Sequence, residues 1–190
     1  MRLFTILLTF FIFSQNLYAG DFRYIKVLII SGSGGIYNGS ISISELEVLS
    51  SSGVNYALTS LATASSYRGV SYPSKSIDNN PSTLFATEDG TGLNPNGSQW
   101  LVLDLGQIRT ISSVKLSTST LFNSSALTAY RILGSSNGSD FSEISSSSGL
   151  SPTVRTDSYN VDQTYFDIDF RLIFFPVLFS VLVLFFRIIA

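Results

Sequence analysis

Apolar residues along this chain follow two different rules. At both ends they run almost unbroken: residues 3–13 behind Arg2, apart from Thr5 and Thr9, and residues 172–190, apart from Ser180 and Arg187. Between those runs they alternate with polar residues, at the spacing of strands rather than helices. The alternation predicts strands over 24–30, 41–49, 100–105, 111–117, 129–134 and 165–170. In the last, Phe166, Ile168 and Phe170 share one face, and Tyr165, Asp167 and Asp169 the other. Clusters of Gly, Asn, Ser and Pro separate these segments, as turns do in a sandwich or barrel. The stretch 145–149 reads as a flexible loop, and no tandem repeat is evident.

The terminal runs set the domain limits. Residues 1–19 have one basic residue, a short apolar core and Ala19 before Gly20, the layout of a secretory signal peptide. Residues 172–190 are just long enough for a candidate transmembrane helix, since about 20 apolar residues span a bilayer. Two other readings stay open for that tail: a cleaved lipid-anchor signal, with Ser158 or Asn160 as the small residue, and the end of a truncated reading frame. One all-β domain is then expected over 20–171.

Composition narrows what that domain does. Acidic residues outnumber basic ones, 13 to 11, and no basic patch is visible, which argues against nucleic acid as a partner. The absence of cysteine leaves the fold without disulfides. Four glycosylation sequons, at Asn38, Asn96, Asn123 and Asn137, sit among turn formers and suit the secretory route. There is no histidine, which removes the commonest general base, the usual nucleophile pairs and most zinc sites. The pairs Glu45/Glu47 and Asp167/Asp169 each share a strand face and read as solvated outer faces. Gly32-Ser33-Gly34-Gly35 follows a strand, but another turn comes next, so it reads as a hairpin loop rather than a phosphate cradle. The segment from Ser76 to Phe85 packs Asp78, Asn79, Asn80, Ser82 and Thr83 into one tight turn, a density of hard oxygens that suits Ca²⁺.

A family resemblance emerges from residues 62–66, Tyr72-Pro73, Ile77-Asp78-Asn79-Asn80 and Gln99-Trp100-Leu101-Val102-Leu103-Asp104-Leu105-Gly106. The hairpin Ser135-Ser136-Asn137-Gly138-Ser139-Asp140-Phe141 adds to it. Over roughly residues 22–145 the chain resembles the discoidin, or coagulation factor 5/8 type C, domain. The resemblance implies a jelly-roll β-sandwich of the galactose-binding-like type. Its order is unusual, because residues 23–27 and 42–48 resemble strands that normally close this domain, and here they come first. Either the domain is circularly permuted, the reading favoured by the signal peptide directly before it, or the chain holds the end of one repeat and most of the next.

The resemblance also implies sites. A structural Ca²⁺ would take oxygens from Ser76, Asp78, Asn80, Thr83 and Glu45. Ligand would be met by loops 65–73, 87–98 and 117–126, through Tyr67, Arg68 and Tyr72, with Leu121 and Phe122 as an apolar spike. The implied function is non-catalytic: an extracellular or cell-surface module for a carbohydrate or adhesion ligand. The alternatives are a membrane-anchored structural or surface-display protein and a phospholipid-binding module.

Overall fold

The computed structural model describes residues 20–33, 39–91, 95–118 and 126–161. In chain order its strands are β1 (Gly20–Gly32), β2 (Ser42–Ile43), β3 (Glu45–Leu49), β4 (Leu61–Ala64), β5 (Phe85–Ala86), β6 (Gln99–Ile111), β7 (Ser113–Ser117), β8 (Leu127–Ser135), β9 (Ser142–Ser147) and β10 (Thr156–Asn160). Two 3₁₀ turns, Tyr56–Thr59 and Pro73–Ser76, complete the described elements, and none is an α-helix. A five-stranded antiparallel sheet has the order β4-β6-β1-β8-β9, and a three-stranded one the order β10-β7-β3. The short pair β2–β5 stands beside them.

The alternating pattern explains the layering. In β1, Ile25, Val27 and Ile29 are fully buried, while Tyr24, Lys26 and Leu28 between them are partly exposed. Leu46, Val48, Val114 and Leu116 of the second sheet are also fully buried and join the same core. Two half-apolar sheets therefore close face to face as a sandwich. Burying each such aliphatic side chain contributes about 1.5–3 kcal/mol.

Two signature stretches hold the outer face of the larger sheet. Trp100 and Phe141 lie on either side of Lys26, whose Nζ is 5.3 Å and 5.1 Å from the two ring centroids. Asp104 accepts from Arg23 Nε at 2.8 Å and Nη2 at 3.0 Å, and from the Gly106 N–H at 2.9 Å. Gly106 has φ +78°, which a side chain would resist. Asn137 Oδ1 accepts from the Ser139 and Asp140 N–H groups, so this sequon's amide organises the β8–β9 hairpin. Asn96 is exposed in its own turn, whereas Asn38 and Asn123 lie outside the described residues.

Several expectations need correction. The strand expected over 41–49 is broken at Ser44, whose N–H donates to the Ser117 carbonyl and whose hydroxyl donates to the Ser117 and Thr118 carbonyls. The strand expected over 111–117 is broken at Ser112, where the chain passes from the first sheet to the second. The expected loop 145–149 is half strand, since β9 runs to Ser147 and pairs with β8. Gly34 and Gly35 of the glycine-rich segment lie outside the described residues; of the strands flanking it, β1 pairs with β6 and β8, and β2 pairs with β5. The expected strand 165–170, the signal peptide and the tail 172–190 lie outside the described residues. Among the described residues no helix is long and apolar enough to cross a membrane.

The connectivity sorts the sandwich into two ends. At one, Gly20 pairs with Ile111 and the Val161 N–H donates to the Ser112 carbonyl at 2.9 Å, so both ends of the described chain emerge together. At the other, Gly32 pairs with Leu127, and Thr118 donates to the Arg155 carbonyl.

Candidate functional site

Both groups of expected site residues belong to the end away from Gly20 and Val161. β4 runs toward that end, and Ser65 continues it by donating to the Trp100 carbonyl at 3.0 Å. Beyond it the chain is held in a tight loop. Gln99 Oε1 accepts from the Ser65 and Ser66 hydroxyls at 2.8 and 2.6 Å. The Arg68 N–H donates to Ala86, and Ala86 donates back to Ser71. This bracing leaves Tyr67 and Tyr72 half exposed, with ring centroids 5.4 Å apart and planes inclined at 59°. Arg68 Nε lies 2.7 Å from Asp89 Oδ1, in an ion pair that solvent reaches from both sides. Two ring faces, an apolar Val70 and a guanidinium–carboxylate pair make a mixed surface able to stack on a ring and hydrogen-bond its substituents. Leu121 and Phe122 lie outside the described residues.

The second cluster is built by the turn that follows the Pro73–Ser76 element. Asp78 Oδ1 accepts from the Asn80 N–H at 3.1 Å, and Asn79 sits at φ +57° to let the chain reverse. Thr83 Oγ1 lies 2.9 and 2.7 Å from the two Asp78 oxygens and 3.0 Å from the Asn80 carbonyl. Glu45, at the start of β3, brings its carboxylate to the same turn. Burial pushes the Glu45 pKa up, the Asn80 and Asn79 N–H groups pull it back, and the Asp78 and Glu47 charges raise it further. Its Oε1 is buried without a hydrogen-bond partner among the described residues.

Glu45 lies with Glu47 on the outer face of β3, opposite the buried Leu46 and Val48, but it is only partly exposed and its Oε1 is covered. An orphaned carboxylate oxygen beside a second carboxylate is what a divalent cation would relieve. The residues present fit one: Glu45 and Asp78 carboxylates, the Thr83 hydroxyl and the Asn80 carbonyl. The Lys75 carbonyl, not singled out by the sequence, lies 3.4 Å from Thr83 Oγ1. Ser76 is fully buried and its hydroxyl donates to the Pro73 carbonyl at 2.7 Å, so that hydroxyl braces the turn. Among the described residues no three His, Cys, Asp or Glu side chains converge, so a cation here would draw mainly on neutral oxygens.

No curated protein matches the chain. The model of the F5/8 type C domain matches residues 61–173, more than half of its length. That match takes in the Asp78 turn, the Tyr67–Tyr72 loop and the Trp100-to-Gly106 strand, whose geometry has just been described. The chain belongs to the F5/8 type C, or discoidin, domain family, whose members are ligand-binding modules.

Proposed function

We propose that this protein is a non-catalytic extracellular module that binds a carbohydrate ligand through the loop carrying Tyr67, Arg68 and Tyr72. The observation behind this reading is the braced, half-exposed tyrosine pair next to Arg68, at the end of the sandwich opposite Gly20 and Val161. Sugar rings present C–H faces to aromatic rings and hydroxyls to a forked donor. Calcium, held by Glu45, Asp78, Asn80 and Thr83 with the Ser76 segment behind them, stiffens the adjoining turn and takes no part in chemistry. The test is a glycan array probed with the protein in calcium and in chelator, alongside phosphatidylserine vesicles. Saturable glycan binding that falls at least tenfold in Arg68→Ala and Tyr72→Ala supports the reading. Vesicle binding with no glycan signal contradicts it and favours a phospholipid module.

A further inference from the structure

The polar edge of the tyrosine loop is half supplied by a second loop. Arg68 belongs to the segment braced against Gln99 and Ala86. Asp89 comes from the turn Glu88-Asp89-Gly90-Thr91. There the Thr91 N–H and hydroxyl both donate to the Glu88 carbonyl, at 3.3 and 2.6 Å. Gly90 takes φ +79°, a value that glycine accepts at the third position of a turn. The Glu88 N–H donates to the Ser66 hydroxyl at 3.2 Å, which ties this turn to the tyrosine loop itself. Arg68 Nε and Asp89 Oδ1 therefore meet at 2.7 Å from two fixed backbones, with their side chains 39% and 40% exposed to a ligand. Glu88 is exposed as well, so this corner sets two acids beside one base.

Such a corner discriminates by what a ligand can give back. A hydroxyl both donates and accepts. One of two neighbouring sugar hydroxyls can accept from the guanidinium while the other donates to the carboxylate, with the ion pair intact. An ionised carboxylate, sulfate or phosphodiester only accepts. It must compete with Asp89 for Arg68, and it meets the Asp89 charge at close range. The penalty against the acidic ligand stands beside the attraction for the neutral one. The family resemblance brings the loop 87–98 to the ligand without singling out a residue in it, and Asp89 is the residue that reaches Arg68.

We infer, on the carbohydrate reading of the tyrosine loop, that Asp89 sets the charge specificity of this site: with Arg68 it reads adjacent hydroxyls of an uncharged sugar, and it turns acidic ligands away. The full chain and its Asp89→Asn and Asp89→Glu variants, each checked for the wild-type melting temperature, are compared in calcium on three probes. These are immobilised neutral oligosaccharides, the same oligosaccharides carrying sialic acid or sulfate, and phosphatidylserine vesicles. The wild type and Asp89→Glu are expected to prefer the neutral set. Asp89→Asn should lose about tenfold in affinity for that set and gain about tenfold on an acidic probe, a gain that salt weakens and that Arg68→Ala/Asp89→Asn lacks. An Asp89→Asn protein that keeps the wild-type ranking overturns the inference and leaves the glycan reading standing. An acidic gain that survives the loss of Arg68 overturns it too. A wild type that binds no neutral oligosaccharide contradicts the glycan reading itself and overturns both.

Discussion

Glu45 is the residue whose behaviour separates a metal-stiffened turn from an ordinary one. Its raised pKa means that the folded chain favours the protonated form. Without a cation, stability therefore falls as pH rises from the ordinary carboxylate range through the raised Glu45 value. Glu45→Gln should remove that decline, which the difference between wild-type and variant melting curves at successive pH values in chelator will measure. Calcium should raise the wild-type melting temperature and leave Glu45→Gln unmoved; an equal rise in both contradicts the ligand set. Tyr130 offers a second residue-scale check. Its ring is fully buried, and its hydroxyl donates to Asp157 Oδ2 and meets the Tyr159 hydroxyl, joining β8 to β10 across the sandwich. Arg155 holds the same Asp157 oxygen at 2.9 Å. Burial and these hydrogen bonds raise the Tyr130 pKa, so the phenol stays neutral. Tyr130→Phe should cost about 1–3 kcal/mol in urea unfolding. An unchanged midpoint would show that the network does not hold the sheets together.

At the scale of elements, β1 tests how the sheet is assembled. Ile25 touches the core from a central strand, so Ile25→Ala should destabilise the full chain by about 2–5 kcal/mol. A cost near zero would mean that another segment fills the gap. The longer strands were legible because their alternation is strong: residues 24–30, 100–105 and 129–134 all lie within observed strands. β4, β5, β9 and β10 were not predicted. Their sequences are Leu-Ala-Thr-Ala, Phe-Ala, Ser-Glu-Ile-Ser-Ser-Ser and Thr-Asp-Ser-Tyr-Asn. Small and polar residues of this kind carry little periodic signal, and partner strands hold them in place. Asp78, Asn80 and Thr83 were readable from local turn chemistry. The covering of Glu45 Oε1 was not, because it depends on a turn some thirty residues away in sequence. The Lys75 carbonyl, 3.4 Å from Thr83 Oγ1, is a backbone group that no residue type announces.

For the whole molecule, the arrangement of ends matters most. Gly20 and Val161 leave the sandwich together, while the tyrosine loop and the Asp78 turn lie at the other end. The candidate binding loop thus lies at the opposite end of the sandwich from Gly20 and Val161. Family membership supplies the class of function, and the particular side chains supply the ligand chemistry. Arg68 is paired with Asp89, so it offers direction rather than net charge, which suits a neutral sugar better than an anionic headgroup. The most direct measurement is the affinity of the protein for its strongest array glycan, in calcium, compared with a Tyr67→Ala/Tyr72→Ala variant that keeps the wild-type melting temperature. The account predicts saturable binding by the wild type and at least a tenfold loss in the variant. Equal affinity for both proteins would contradict it.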